Sequence, residues 1–307
     1  MISIDILSIL NSLDPMKEAG INDDIVLLQE EIENASKKLL HLSYLAKAKK
    51  YFSIVGNNDS DIYIQTLHKS GTTLMQMMVY QLTTDGNMDF DHIYDVSPWT
   101  GNLAYLTKKD FEGYKQRLPN YGKRNIYKSH FEYSFYKNVK KGKFIYVIRD
   151  VFDQINSYYH HFKNYYNPDL KFDEFVDKGI IEKWFKYNTE WIKNENENDI
   201  IYLNFEDIIE SKLLIVNKLS DFLNIPMSEE KLERVLERSS FPFMKSNEKK
   251  FGEQPQTKVS KVYNKFIRKG IAGEGKSMFT KEHIIKVGEL ANTYLGSHKL
   301  TKRYFNK

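Results

Sequence analysis

The stretch from Ile62 to Leu82 constrains this chain more than any other. Ile62-Tyr63-Ile64-Gln65 reads as an apolar strand, with β-branched residues at Ile62 and Ile64. The turn that follows, His68-Lys69-Ser70-Gly71-Thr72-Thr73, holds a lysine, a glycine and several hydroxyls. Leu74 to Leu82 then reads as a mostly buried helix. A strand, a small-residue turn and a helix N-terminus form an anion cradle. Unpaired backbone N–H groups and the positive end of the helix dipole point at whatever sits above the turn. Gly71 lets the backbone approach closely, and Thr72 and Thr73 add hydroxyl donors. A hydroxyl-rich turn without a ligand is the plainer alternative; phosphate is the ligand the pattern favours.

The turn is not a Walker A loop, which requires Gly, four residues, then Gly-Lys-Ser/Thr. Aligned on Gly71, Thr66 stands for the first glycine and Thr72 for the lysine. The lysine lies upstream of the glycine instead, at Lys69. Kinase chemistry places lysine and Mg²⁺ together on the transferring phosphoryl group. This loop lacks that arrangement, so a different transferred group is indicated.

Composition sets outer bounds. The chain has 307 residues, enough for one large α/β domain or two modest ones. The net charge of +4 suits an anionic ligand and is too small to argue for nucleic acid. The absence of cysteine excludes disulfides, thiolate chemistry and cysteine-ligated metals. No apolar run has membrane-spanning length and no signal peptide is visible, so a cytoplasmic protein without membrane partners is expected.

Residues 1–57 read as a helical segment packed on a main domain at 58–307. Helices are expected over Asp5–Leu13 and Asp23–Phe52, with Ile25, Leu28, Ile32, Leu39, Leu40 and Leu45 at helical spacing. Thr83 to Tyr121 reads as a loop-rich excursion, and such loops often shape pockets. Lys143–Ile148 is a strand apolar enough for burial on both sheet faces, and Arg149 follows at its carboxyl end. Asn125–His130 and Ile200–Phe205 read as further strands. Ser240–Lys245 reads as loop, leading into a basic run through Lys258, Lys261, Lys265, Arg268 and Lys269. The alternation of strands and helices predicts an α/β fold with a central, mostly parallel sheet. Ligands of such sheets bind at the carboxyl ends of strands, so Lys69, His130 and Arg149 are expected at one rim.

These segments together resemble one family, the sulfotransferases that use 3′-phosphoadenosine 5′-phosphosulfate (PAPS), closest in pattern to the cytosolic small-molecule type. Its first loop is like Tyr-Pro-Lys-Ser-Gly-Thr-Thr; here it is Leu67-His68-Lys69-Ser70-Gly71-Thr72-Thr73. Its Lys-Thr/Ser-His motif is Lys128-Ser129-His130. Its strand-end arginine, later serine and tyrosine pair are Arg149, Ser157, Tyr158 and Tyr159. Its late elements are Ser240-Phe241-Pro242-Phe243-Met244-Lys245 and Arg268-Lys269-Gly270-Ile271-Ala272-Gly273. The order holds from about residue 60 to 280, and the ordered set is far more specific than any single motif.

The resemblance implies a P-loop-like sulfotransferase fold, PAPS as donor, 3′-phosphoadenosine 5′-phosphate (PAP) as product, and no required metal. It implies His130 as general base, Lys69 on the leaving phosphate and Lys128 on the transferring group. Ser70, Gly71, Thr72 and Thr73 would line the 5′-phosphate, with Leu74 next to them in the donor site, at the position of an adenine-stacking aromatic. Arg149, Ser157, Arg268, Lys269 and Gly270 would read the 3′-phosphate. Phe205, Ser239 and Phe241 would lie about the adenine.

The chain departs from the family pattern at several positions. His68 replaces a proline, Leu74 an aromatic residue, Phe205 a tyrosine and Gly275 a tryptophan. The dimerisation signature is partial: Lys276 and Thr280 remain, while Lys281 and Ile285 replace its valine and acid. The expected partner is a small-molecule acceptor, taken as a hydroxyl or amine. Tyr94, Trp99 and Tyr158 are expected to wall its pocket, and Asp89, Asp91 and Asp95 would favour a cationic acceptor such as an alkaloid. A P-loop kinase and a non-catalytic PAP-binding module are the other readings. The missing Walker lysine argues against the first, and retention of both Lys128 and His130 against the second.

Overall fold

The computed structural model describes residues 22–56, 58–117, 124–139, 141–197, 199–252, 266–295 and 298–305. The expected helix over Asp5–Leu13, and Lys258, Lys261 and Lys265, lie outside the described residues. Four strands form the sheet: β1 (Ile62–Thr66), β2 (Ile126–Ser129), β3 (Lys143–Ile148) and β4 (Ile200–Asn204). Eight longer helices are α1 (Asn22–Val55), α2 (Thr72–Thr83), α3 (Lys108–Arg117), α4 (Val151–Tyr165), α5 (Ile180–Lys193), α6 (Lys212–Leu223), α7 (Glu229–Arg238) and α8 (Lys281–Tyr294). The strand order is β2-β1-β3-β4, and every pairing is parallel.

Each face of the sheet has its own chemistry, because successive side chains on a strand point to opposite sides. Tyr63 of β1, Tyr127 of β2, and Phe144 and Tyr146 of β3 enter one core with Phe52, Tyr136, Trp184 and Trp191. Ile62 and Ile64 of β1, Ile126 of β2, and Ile145 and Val147 of β3 enter the other, with Met75, Met77 and Met78 of α2. The first three strands thus send mostly aromatic rings to the first side and aliphatic chains to the second. The parallel sheet is thus covered on both faces, which leaves its carboxyl ends as the accessible edge.

The carboxyl-terminal part of α1 belongs to the aromatic core. The Phe52 ring meets Tyr63 at 5.6 Å and Tyr127 at 5.7 Å, both edge-to-face. The Tyr44 hydroxyl donates to the Gly101 carbonyl oxygen at 3.0 Å. The apolar stripe read from the sequence is only partly buried, however. Leu39 and Leu40 are 66% and 69% exposed, because the core contacts of this helix begin beyond them.

Two segments expected as loop carry helix. In the excursion after α2, Thr107 and Asp110 form a reciprocal cap: Asp110 N–H donates to Thr107 Oγ1 at 3.1 Å, and Thr107 N–H donates to Asp110 Oδ2 at 3.2 Å. That cap starts α3. Ser240 likewise accepts the Phe243 N–H at 3.3 Å, and Pro242 occupies the first turn of a short helix over Phe241–Ser246. In both places the cap residues outweigh the loop-like composition.

Candidate active site

A cavity of about 380 Å³ opens at the carboxyl ends of the strands. It is built first by the turn after β1. Lys69 sits in the left-handed region at φ 66° and Gly71 at φ 95°, so the chain reverses sharply and α2 starts at the cavity wall. No acidic side chain stands in the first turn of α2 and no side chain caps it, so no carboxylate of that turn competes for its N–H groups. Gly71 is required on two counts. Its φ is unfavourable for a side chain, and a Cβ there would stand 2.5 Å from the Phe205 ring.

Arg149 braces that turn from the end of β3. Its Nη1 donates to the Lys69 carbonyl oxygen at 3.0 Å, and its guanidinium lies 4.4 Å from the Phe205 ring centroid. Burial pulls its pKa down and the nearby carboxylates of Asp153, Glu206 and Asp150 pull it back up. An arginine stays charged through such shifts. The Gln154 amide of α4 holds the preceding carbonyl, that of His68, so a strand-end residue and a helix residue together fix the turn.

His130 follows β2. Its Nδ1 lies 2.9 Å from the Thr66 carbonyl oxygen, which also accepts the Tyr187 hydroxyl at 3.0 Å. A carbonyl oxygen only accepts, so Nδ1 carries the proton and Nε2 holds the lone pair. Lys128 Nζ lies 3.4 Å from that Nε2. It also stands 4.8 Å from the Tyr94 ring centroid and 4.9 Å from that of Trp99. Burial, then His68 and Lys128, push the His130 pKa well below the ordinary histidine value. The ring is therefore neutral near pH 7, with an available lone pair.

The opposite wall comes from α4 and the glycine-rich segment after Phe266. Ser157 and His161 both line the cavity; they are four residues apart and share one helix face. The Asp153 carboxylate, 3% exposed, accepts the N–H of Gly273 at 2.6 Å and of Gly275 at 2.7 Å. This sets Arg268, Lys269 and Gly270 on the cavity edge. Glu274 pairs with Lys269 at 2.8 Å. A Cβ on Gly275 would meet the Phe152 carbonyl oxygen at 2.3 Å, so the backbone approach leaves no room for the tryptophan of the family pattern.

Almost every residue expected at the donor site lines this cavity: Lys69, Gly71, Thr72, Thr73, Leu74, Arg149, Ser157, Phe205, Ser239, Phe241, Arg268, Lys269 and Gly270. Lys128 and His130 join them. Ser70 does not line the cavity; it is 1% exposed, with its N–H donating to the Leu67 carbonyl oxygen inside the turn. Of the expected pocket aromatics, Tyr94 lines the cavity, whereas Trp99 lies behind Lys128 and Tyr158 behind His68. Asp89, Asp91 and Asp95 are not in its lining, and Asp95 is spent accepting the His92 N–H in a helix cap. None of the three acids contributes a carboxylate to this cavity.

Sequence reading passed over several lining residues. His68, His161, Phe266 and Ile267 line the cavity, and so does Lys212, which donates to the Ser239 carbonyl oxygen at 2.6 Å. Among the described residues every charged group lining the cavity is basic: Lys69, Lys128, Arg149, Lys212, Arg268 and Lys269. Among them, too, no group of side chains is arranged to hold a metal ion, and no helix is long and apolar enough to cross a membrane.

The chain matches known proteins over most of its length. Residues 59–299 match the family model described as a sulfotransferase domain. Human sulfotransferase 1E1 (Homo sapiens) is 30% identical over 237 residues, covering 72% of this chain and 78% of the relative. Mouse sulfotransferase 2B1 (Mus musculus) is 27% identical over 234 residues, covering 72% of this chain and 67% of the relative. Among solved structures, retinol dehydratase in complex with androsterone and inactive cofactor PAP superposes with a TM-score of 0.67 at 20% identity, covering 84% of this chain and 86% of that one. Mouse sulfotransferase SULT7A1 complexed with PAP gives a TM-score of 0.64 at 17% identity, covering 84% and 92%. The cavity, its basic lining and the family match agree, and the chain belongs to the sulfotransferase family as a PAPS-dependent enzyme.

Proposed function

We propose that the chain moves the sulfuryl group of PAPS to a hydroxyl or amine of a small apolar acceptor, with His130 as general base. The observation that carries this reading is the Nδ1 contact of His130 with Thr66. It leaves Nε2 unprotonated and anchors the ring at one atom. The donor fits the residues present: its phosphates require cations and N–H groups, the cavity lining offers both, and the carboxylate paired with Lys269, that of Glu274, lies outside the lining.

When bound, PAPS supplies an activated sulfuryl group on a phosphate leaving group. Nε2 of His130 takes the acceptor's proton as the acceptor oxygen or nitrogen bonds to sulfur. Lys128, beside Nε2, faces the charge on the transferring group. Lys69 and the N–H groups of Thr72 and Thr73 take up the charge that appears on the 5′-phosphate as its bond to sulfur breaks. Arg149, Ser157, Arg268, Lys269 and Gly270 hold the 3′-phosphate, which separates this donor from ATP. Phe205, Ser239 and Phe241 border the adenine, and Gly270 lets Phe241 pack closely, since a Cβ there would lie 2.3 Å from that ring.

Tyr94, Phe266 and Ile267 give the cavity an apolar part of its lining, which suits a hydroxylated apolar molecule. A guinea-pig relative, 28% identical over 242 residues, carries the name 3-beta-hydroxysteroid sulfotransferase, and androsterone occupies one structural neighbour. Labelled PAPS offered with neutral phenols, sterols and amines tests the reading. Transfer to neutral hydroxyl acceptors, lost by about two orders of magnitude or more in His130→Ala, is the expected result. Transfer confined to cationic amines, or full turnover in His130→Ala, would overturn it.

A further inference from the structure

Leu67-His68-Lys69-Ser70 is a β-turn. The Ser70 N–H donates to the Leu67 carbonyl oxygen at 3.2 Å, and Lys69, at the third position, has φ 66°. A positive φ at that place marks the type II pattern, in which proline is favoured at the second position. The family pattern has proline there, and this chain has His68. The imidazole reaches where a proline ring does not. Its centroid lies 3.9 Å from that of His130 with the planes 27° apart, and Tyr158 stacks on it in turn at 5.3 Å and 24°. His68 Nδ1 is buried without a hydrogen-bond partner, so the ring is not there to serve a hydrogen bond at that atom.

The bond from His130 Nδ1 to Thr66 fixes one atom of the base. It leaves the ring plane able to rock about that contact. Trp99 restrains the ring only loosely, with a centroid 6.3 Å away and its plane tilted by 59°. The face-to-face contact with His68 supplies the missing restraint.

We propose that His68 is a positioning residue for the base: stacked on His130 and backed by Tyr158, it holds the His130 ring in the plane that presents Nε2 to the acceptor. This rests on the reading of His130 as the base for sulfuryl transfer. The charged and titratable groups facing the pair are Lys128 from β2, Lys69 from the turn, His161 from α4 and Lys183 from α5. Besides the neighbouring histidines, all of them carry positive charge, so an imidazolium would find no compensating partner among them. The stack works with two neutral rings.

His68→Pro is the decisive variant, because it installs the residue the turn itself prefers. A purely structural role for His68 predicts an unchanged or improved enzyme. The positioning role predicts an unfolding midpoint and PAP affinity close to wild type, with kcat down roughly tenfold or more. It also predicts that the His130 ring, followed by NMR, titrates at higher pH than in the wild type, since its stacked neighbour and the water exclusion are both gone. His68→Phe restores the ring contact and returns kcat to within about threefold of wild type. Wild-type kcat with an unmoved His130 titration in His68→Pro overturns the proposal. A wild-type chain inactive on every acceptor, whose His130 titration still moves in His68→Pro, overturns the sulfuryl-transfer reading and upholds the ring contact.

Discussion

The Asp153 carboxylate accepts the Gly275 N–H at 2.7 Å and so ties the segment carrying Arg268 and Lys269 to the first turn of α4. The same carboxylate holds the Gly273 N–H, so one buried side chain anchors the segment at two points. Asp153→Ala leaves both N–H groups without that acceptor. Each buried unsatisfied donor costs about 1–3 kcal/mol. The expected result is a lower urea midpoint together with PAP affinity reduced about tenfold or more, since the basic segment loses its seat. Calorimetric titration with PAP checks the second part. Wild-type affinity in the variant would mean that Arg268 and Lys269 find their place without Asp153.

Gly71→Ala tests the turn itself. A left-handed conformation costs a residue with a side chain about 1–2 kcal/mol. The added Cβ must also displace the Phe205 ring, on which the Arg149 guanidinium rests. Lower stability and weaker PAP binding are therefore expected together, whereas a glycine needed only for backbone freedom would affect stability alone. Chemical denaturation and PAP titration of the same variant separate the two.

Much of this site was legible in the sequence, and the reasons are physical. Strands buried on both faces give unbroken apolar runs, so Lys143–Ile148 marked the centre of the sheet and Arg149 its ligand edge. The turn around Gly71 was readable because few residue types tolerate its backbone. What the sequence hid is which layer a side chain occupies. Tyr158 follows Ser157 directly on α4, but one residue is a rotation of about 100°, so it turns away while His161 returns to the cavity face. Counting i and i+4 from Ser157 would have found His161. Trp99 was hidden for a different reason: it stacks behind the ammonium of Lys128, and no local pattern records that. Lys212 comes from a separate helix, more than fifty residues beyond Ser157, and only the fold brings it to the cavity. The helix at Phe241–Ser246 was announced by Ser240 and Pro242 and obscured by the basic composition around it.

The paired histidines give folding a pH dependence whose sign follows from their burial. Burial comes first among the causes that hold both His68 and His130 well below the ordinary value of 6.5. Below about pH 6.5 the unfolded chain binds protons on these rings that the folded chain does not. Stability contributed by the neutral rings is therefore intact above that pH. It is lost as pH falls beneath it, by up to about 1.4 kcal/mol per pH unit for each ring, until the folded-state rings protonate. Asp150 runs the other way, because burial lifts its carboxyl from 3.8 to about 6, so the folded chain binds the extra proton in that window. The comparison of wild type with His130→Asn isolates the ring, since Asp150 is common to both. Urea midpoints measured from pH 7 to pH 5 should fall less steeply in the variant. Parallel slopes would show that His130 gains its proton in the folded state as readily as in the unfolded one, and the acid limb of kcat/KM would then rise to the ordinary histidine range instead of lying well below it.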